Sequence, residues 1–328
     1  AEGNDTLDGG DGLGDTVDYS AAGNGIDINL ATGVVANDGY LSTDTVLNVE
    51  NVIGSDNDDV IVGNVEANVL EAGDGDDSLT ASAGSDEFDG GDGSDTLDYS
   101  GLTGITGVDV TLNGPSTVTV TVAGGDNDIV SNVENVIGST GDDTLGGDLN
   151  DNRLEGLAGS DNFTASAGTD TIVGGTGSDT LDYSSFFAAG AINVQLQGAS
   201  DTTVFVAGSG DDTISGIENI IGTTGNDTIT GDAEDNLIEG RAGNDTLDGG
   251  IGADTLRGGD GTDTITASVG ADVIDGGTGV DTVDFSGLPA GQTIDVSLNE
   301  STPATVTVDG GDDQTISNVE NIVGTAGD

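Results

Sequence analysis

Apolar residues recur at every ninth position over long stretches of this chain, and that period constrains what it can become. Ile61, Leu70, Leu79, Phe88 and Leu97 form one series. Leu145, Leu154, Phe163, Ile172 and Leu181 form a second, and Ile229, Ile238, Leu247, Leu256, Ile265, Ile274 and Val283 a third. Each lies two positions after an Asp or Asn, in a unit that reads GGxGxDxUx with U apolar. Gly90 to Asp98, Gly174 to Asp182 and Gly249 to Arg257 are clear copies. A fixed period of this length marks a repeat architecture, in which each unit packs mainly against its neighbours. The end of the unit, as in D-T-L-D, predicts a short strand with Thr outward and Leu inward. The start of the unit predicts a turn, where Gly permits positive φ and lets backbone carbonyls crowd together. Two units then make one turn of coil, so that each loop stacks on the loop two units away.

Charge narrows the partners. The 328 residues carry 62 Asp and Glu against 3 basic residues, Arg153, Arg241 and Arg257, for a net charge of −59. Like charges repel, which excludes a nucleic-acid backbone or an anionic membrane as direct partner. The counter-ions left are metal cations. With Asp, Glu and Asn as the ligands at hand and no His or Cys, hard oxygen-loving ions fit: Ca²⁺ before Mg²⁺, and Zn²⁺ hardly at all. Without Cys there are no disulfides, and a secreted chain needs another cross-link, which metal can supply. No apolar run is long enough to insert in a membrane. The chain opens at Ala1 inside a repeat with no signal peptide, as expected of a processed chain or a window on a longer one. Composition alone would also suit an acidic disordered polymer; the strict spacing of the apolar third argues against it.

The nonapeptide resembles that of the RTX (repeats-in-toxin, haemolysin-type) calcium-binding family, over somewhat more than half of the chain. The resemblance implies an all-β fold, a right-handed parallel β-roll or β-solenoid, with Ca²⁺ ions between stacked loops. It implies that the Asp at position six and loop carbonyls hold them. The position-six aspartates are Asp59, Asp77, Asp86 and Asp95 in the first stretch, and Asp143, Asp161, Asp170 and Asp179 in the second. In the third they are Asp227, Asp245, Asp254, Asp263, Asp272 and Asp281. Asp5 and Asp15 belong to a partial stretch spaced by ten. Each long stretch departs at its second unit, where Asn68, Asn152 and Asn236 stand at position six and Glu66, Asn150 and Glu234 replace the central Gly. That edge is expected to lose or weaken its first calcium site. The units at Thr80, Thr164 and Thr266 replace Gly-Gly with Ala-Ser, so their loops are expected to differ.

A longer period encloses the short one. ENVIG or a variant begins at Glu50, Glu134, Glu218 and Glu320, and DYS or DFS at Asp18, Asp98, Asp182 and Asp284. This divides the chain into 1–53, a partial stretch and β segment; 54–137 and 138–221, each a nonapeptide block and β segment; and 222–328, a block longer by two units and its β segment. One continuous solenoid is expected, the two extra units adding one coil turn. Between DYS and ENVIG, alternation at Val108, Val110 and Leu112, and again at Val118, Val120 and Val122, predicts strands that form wider rungs of the coil or a small packed sheet.

Catalysis is not expected. Acid–base or nucleophilic chemistry by His or Cys is unavailable, and every carboxylate pair recurs with the repeat, whereas an active site is a single constellation. The recurring Glu-Asn of NVENVIG reads as a turn-stabilising polar ladder. Tyr19, Tyr99, Tyr183 and Phe285 read as core packing. Three functions remain: a calcium-dependent extracellular structural repeat of a bacterial surface layer, filament or adhesin; the calcium-triggered folding and secretion module of an RTX enzyme or toxin; and a carbohydrate- or ice-binding solenoid face. The resemblance implies an extracellular or cell-surface location reached by type I secretion from a Gram-negative bacterium. The terminal Gly324 to Asp328 is the front half of a nonapeptide, so head-to-tail self-association or a longer covalent array is expected.

Overall fold

The computed structural model describes residues 3–186, 190–289, 292–296, 303–309 and 311–325. The last residues of the terminal half-repeat, 326–328, lie outside them. The chain divides into two compact units, Ala1–Asp161 and Asn162–Asp328. Among the described residues every regular element is a β-strand of two to seven residues.

Within the first unit, Val60–Val62, Ser78–Thr80 and Thr96–Asp98 stack in parallel as one sheet. Asn51–Ile53, Val69–Asp74 and Glu87–Asp92 stack as its opposed partner. Within the second unit, Thr228–Thr230, Thr246–Asp248, Thr264–Thr266 and Thr282–Asp284 form one sheet. Leu237–Ala242, Thr255–Gly261 and Val273–Gly279 form the other. The chain thus changes sheet with each nonapeptide and returns with every second one. The result is an all-β, largely parallel repeat-sheet roll. Strands Thr246–Asp248 and Thr255–Gly261, which fall in the long third stretch, pair in register with neighbours on both sides.

Alternation places the core. Leu247 is fully buried while Thr246, on the other face of the same short strand, is exposed. Ile229, Leu247, Ile265 and Val283 line the inner face of one sheet, and Ile238, Leu256 and Ile274 that of the other. The core is therefore one side chain deep from each sheet, a thin interior for so charged a chain. Phe88, Phe163, Tyr99, Tyr183 and Phe285 are its largest fully buried members.

The segments between DYS and ENVIG each add three strands. In the first unit Val108–Thr111 pairs in parallel with Thr144–Gly146, and Asp128–Ser131 with Glu87–Asp92. Val118–Val122 runs antiparallel to both inserted strands. The same pattern holds for Ile26–Asn29, Val34–Asp38 and Asp44–Leu47 and for Ile192–Gln195, Thr202–Val206 and Asp212–Ser215. In the last segment Ala304–Val308 is likewise antiparallel to Ile294–Asp295 and Gln314–Ser317, and Gln314–Ser317 pairs in parallel with Val273–Gly279. The outer two strands belong to the coil; the middle one is reversed, because turns at Asn113-Gly114-Pro115 and Gly124-Gly125 fold the chain back on itself. The wider rungs are thus antiparallel excursions rather than broader parallel turns.

Candidate functional site

Position six of the nonapeptide points inward. Asp77, Asp95, Asp245, Asp254, Asp263 and Asp281 are each at most 2% exposed. Their carboxylates form ladders with one polarity. The Asp227 N–H donates to Asp245 Oδ1 at 2.8 Å, the Asp245 N–H to Asp263 Oδ1 at 2.9 Å, and the Asp263 N–H to Asp281 Oδ1 at 2.9 Å. Each turn therefore takes its acceptor from the turn that follows. In the first unit Asp59 and Asp77 donate likewise to Asp77 and Asp95. The Glu of ENVIG closes these rows: Asp95 donates to Glu134 Oε2 at 3.0 Å, Asp179 to Glu218 at 2.8 Å and Asp281 to Glu320 at 2.8 Å.

On the other edge the rows run into the inserted strands, where Asp86 donates to Asp128 Oδ1 at 2.9 Å and Asp170 to Asp212 Oδ1 at 3.0 Å. Asp44, Asp128 and Asp212 escape a reading by nines, since they stand outside the nonapeptides; their recurrence in three of the four long repeats is the available signal.

The fourteen aspartates share a position but not a surrounding. Six have Ser or Thr at position two of their unit. Ser82 Oγ donates to Asp86 Oδ2 at 2.9 Å, Ser166 Oγ to Asp170 Oδ2 at 2.7 Å and Ser268 Oγ to Asp272 Oδ2 at 3.2 Å. Thr223 Oγ1 donates to Asp227 Oδ1 at 2.9 Å. Ser55 and Ser139 each give a backbone N–H to Oδ2 and a hydroxyl to Oδ1 of Asp59 and Asp143. The other eight lack a hydroxyl at position two. In six of these, Asp77, Asp95, Asp245, Asp254, Asp263 and Asp281, Oδ2 is buried without a hydrogen-bond partner.

The asparagines form a third set. Asn68 Nδ2 donates to the Glu50 carbonyl at 2.8 Å, Asn152 Nδ2 to that of Glu134 at 2.9 Å and Asn236 Nδ2 to that of Glu218 at 2.8 Å. Their Oδ1 atoms accept the N–H of Asn64, Asp148 and Asp232. An ionised Asp could not donate here, so the Asn at the second unit of each stretch is required by the adjoining ENVIG turn.

The loops that leave Oδ2 free of partners are built around glycine. At position two, Gly259 has φ +112°, and a Cβ there would strike the Arg241 carbonyl oxygen of the loop one turn back. At position four, a Cβ on Gly261 would strike the Gly243 carbonyl oxygen. Stacked carbonyls thus occupy the space a side chain would take. Burial pushes the carboxyls of Asp77 and Asp245 up to about 7 and those of Asp95 and Asp254 up to about 6, with neighbouring carboxylates adding to the rise and backbone N–H donors opposing it. Among the described residues no three acidic side chains converge. A cation held here would take single carboxylates from loops and complete its shell with carbonyls. Buried anionic oxygens without partners, beside stacked carbonyls, fit a hard ion that prefers many oxygen ligands.

The profile of the RTX calcium-binding nonapeptide repeat matches residues 1–12, 53–88, 62–97, 146–181, 197–216, 221–256 and 248–283. The chain belongs to this family. Its matched RTX unit is a calcium-binding structural repeat. Among solved structures, the extracellular lipase LipA from Serratia marcescens is similar at 21% identity over 57% of this chain and 38% of the lipase chain, with a TM-score of 0.23. No curated protein sequence matches the chain.

The aromatic position of the superrepeat is core in this RTX chain, and it also carries a polar pairing. Tyr183 OH donates to Asp212 Oδ2 at 2.8 Å and Tyr19 OH to Asp44 Oδ2 at 3.4 Å. Burial, with Asp128 beside it, raises the Tyr99 hydroxyl well above its usual range. In the fourth copy the aromatic is Phe285 and the acid is replaced by Gln314. Where the phenol is missing, so is the buried charge it would serve.

Proposed function

We propose that this chain is a calcium-dependent extracellular structural repeat of a bacterial surface layer, filament or large adhesin. The observation that supports it is the set of buried, partnerless carboxylate oxygens in the Gly-rich loops, in a chain of net charge −59. A carboxylate so placed costs free energy unless it is paired. Calcium bound in these loops supplies the positive charge and oxygen coordination they lack. The position-six aspartates are the residues to hold it, Asp77, Asp95, Asp245, Asp254, Asp263 and Asp281 with a partnerless Oδ2 among them. Binding energy then becomes folding energy. Affinities of about 10⁻⁴ to 10⁻³ M, usual for extracellular modules, keep such a chain unfolded inside a cell and folded outside it. The same property would serve a module carried by an exported enzyme. At neutral pH, far-ultraviolet circular dichroism should show β structure in millimolar Ca²⁺ and its loss in excess chelator; equal β content in both would refute the reading.

Head-to-tail association is part of this proposal. Sedimentation and electron microscopy with and without Ca²⁺ test it, and short monodisperse rods in both conditions would exclude self-assembly.

A further inference from the structure

We infer that the second residue of each nonapeptide decides whether its loop takes a cation. The six aspartates with Ser or Thr there, Asp59, Asp86, Asp143, Asp170, Asp227 and Asp272, are closed to calcium by the donors that already hold them. The inference rests on the calcium reading above and narrows it to eight loops.

Three independent features separate the two sets. The first is hydrogen bonding. In the closed loops the side chain or backbone of position two donates to the carboxylate, as from Ser82 and Ser166 at 2.9 and 2.7 Å. In the open loops Asp254, Asp263 and Asp281 keep a buried Oδ2 without any donor. The second is backbone. Position two of the open loops is left-handed, at Gly73 (+121°), Gly91 (+105°), Gly250 (+89°) and Gly277 (+100°), and even at Leu157 (+74°) and Arg241 (+76°). None of the six Ser and Thr residues adopts that conformation. A non-glycine residue rarely takes it unless the surroundings impose it, so Leu157 and Arg241 show that these loops need the conformation itself.

The third feature is position in the stack. Closed loops stand where an insertion interrupts the row of nonapeptides. Asp59, Asp143 and Asp227 accept at Oδ1 the N–H of Ile26, Val108 and Ile192, all from inserted strands. Asp86 and Asp170 donate to Asp128 and Asp212 of inserted strands. The Asp272 carbonyl accepts from Thr315 of another. A closed loop therefore has a nonapeptide loop on one side and an inserted strand on the other. The open loops at Asp95, Asp179 and Asp281 adjoin the ENVIG turn instead, whose Glu brings a further carboxylate. A cation between stacked loops draws on the oxygens of both, and Ca²⁺ needs about six to eight of them. At a face interrupted by an inserted strand half of that shell is missing, and a neutral donor takes the place of the ion.

The test uses the intact chain in millimolar Ca²⁺. Asp86→Asn and Asp143→Asn represent closed loops, and Asp254→Asn and Asp263→Asn open ones. At Asp86 an Asn keeps its oxygen for the Asn68 N–H and its amide donates to Ser82 Oγ, since a hydroxyl accepts as well as donates. At Asp143 one of two backbone N–H donors, from Val108 and Ser139, loses its acceptor, so that variant is counted only once circular dichroism shows it folded. Bound calcium per chain is measured by equilibrium dialysis with atomic absorption, and circular dichroism reports folding. The closed-loop variants should bind as many ions as the parent, and each open-loop variant at least one fewer. Equal losses in both classes would overturn the inference and leave the calcium reading standing. A parent chain that binds no calcium would overturn that reading itself. If a variant fails to fold, Asp59→Asn or Asp281→Asn replaces it within its class.

Discussion

Removing calcium with excess chelator and then raising the pH from about 5 to about 7.5 should unfold the chain, the reverse of ordinary acid denaturation. The carboxyls of Asp77, Asp128 and Asp245 are pushed up to about 7 and that of Asp212 to about 6, from an ordinary 3.8. Burial is the leading cause in each. Between these limits the folded chain keeps protons that the unfolded chain has released. Stability to unfolding then falls as pH rises, because the unfolded state binds fewer protons. Each such proton is worth about 1.4 kcal/mol per pH unit. These four carboxyls are not adjacent in any row, and together they give a slope of about 5 kcal/mol per pH unit near pH 5 to 6. One or two units would consume the whole stability of a typical domain, about 5 to 15 kcal/mol. Circular dichroism over a pH series in chelator is the assay, kept above the isoelectric point of 4.1. A parallel series in millimolar Ca²⁺ should be about half as steep and stay folded, because the ion holds Asp77 and Asp245 while Asp128 and Asp212 lie outside the calcium loops. If β content in chelator is unchanged or rises toward neutrality, the buried carboxyls are not what destabilises the metal-free fold.

Tyr183→Phe should cost about 1–3 kcal/mol in calcium by leaving Asp212 Oδ2 without its donor. Adding Asp212→Gln, after the Phe285 and Gln314 pair, should recover much of it; additive losses in a denaturant double-mutant cycle would contradict the pairing. Asn236→Asp should destabilise by about 1–3 kcal/mol, since a carboxylate cannot donate to the Glu218 carbonyl; unchanged thermal unfolding in calcium would count against that role. Deleting residues 243–260 should leave a folded, calcium-responsive chain, whereas deleting 252–260 should not, because it moves every later strand to the opposite sheet. Similar melting temperatures for the two deletions would show that sheet identity does not matter.

Much of the architecture is legible in the sequence because two periods carry it. The spacing of Leu247, Leu256 and Ile265 by nine places successive strands on alternating sheets, and the Asp before each becomes a buried ladder residue. The ENVIG Glu also reads as a polar ladder, and Glu134 and Glu218 close rows in the structure. What stays hidden depends on contacts across turns. Alternation at Val118, Val120 and Val122 reveals a strand but not its direction, which is set by the turns that flank it. Ser82 looks like a loop variant of Gly, and only its reach to Asp86 shows that one position separates two kinds of loop. Asn236 reads as a weakened ligand until the Glu218 carbonyl beside it shows why an amide is required. Asp128 lies in no nonapeptide, so no period of nine could pair it with Asp86.

The ladders also give the roll a direction of growth. Since the Asp263 N–H is received by Asp281, and the Asp281 N–H by Glu320, a turn is finished by its successor and asks nothing of this kind from its predecessor. A chain emerging C-terminus first would lay each new turn on a surface of waiting acceptors. A chain emerging N-terminus first would leave every fresh loop with open donors until the next full turn of coil arrived. Shortening should therefore be asymmetric. Within this ladder, removal of the first turn strands no donor, while truncation before Glu320 strands the buried Asp281 N–H. Hydrogen exchange in calcium would display the difference: amide protection at Asp263 and Asp281 should fall after C-terminal truncation, and protection at Asp59 and Asp77 should survive loss of residues before Asp15. Equal fraying from both ends would mean that the polarity of the ladder has no bearing on how the roll is built.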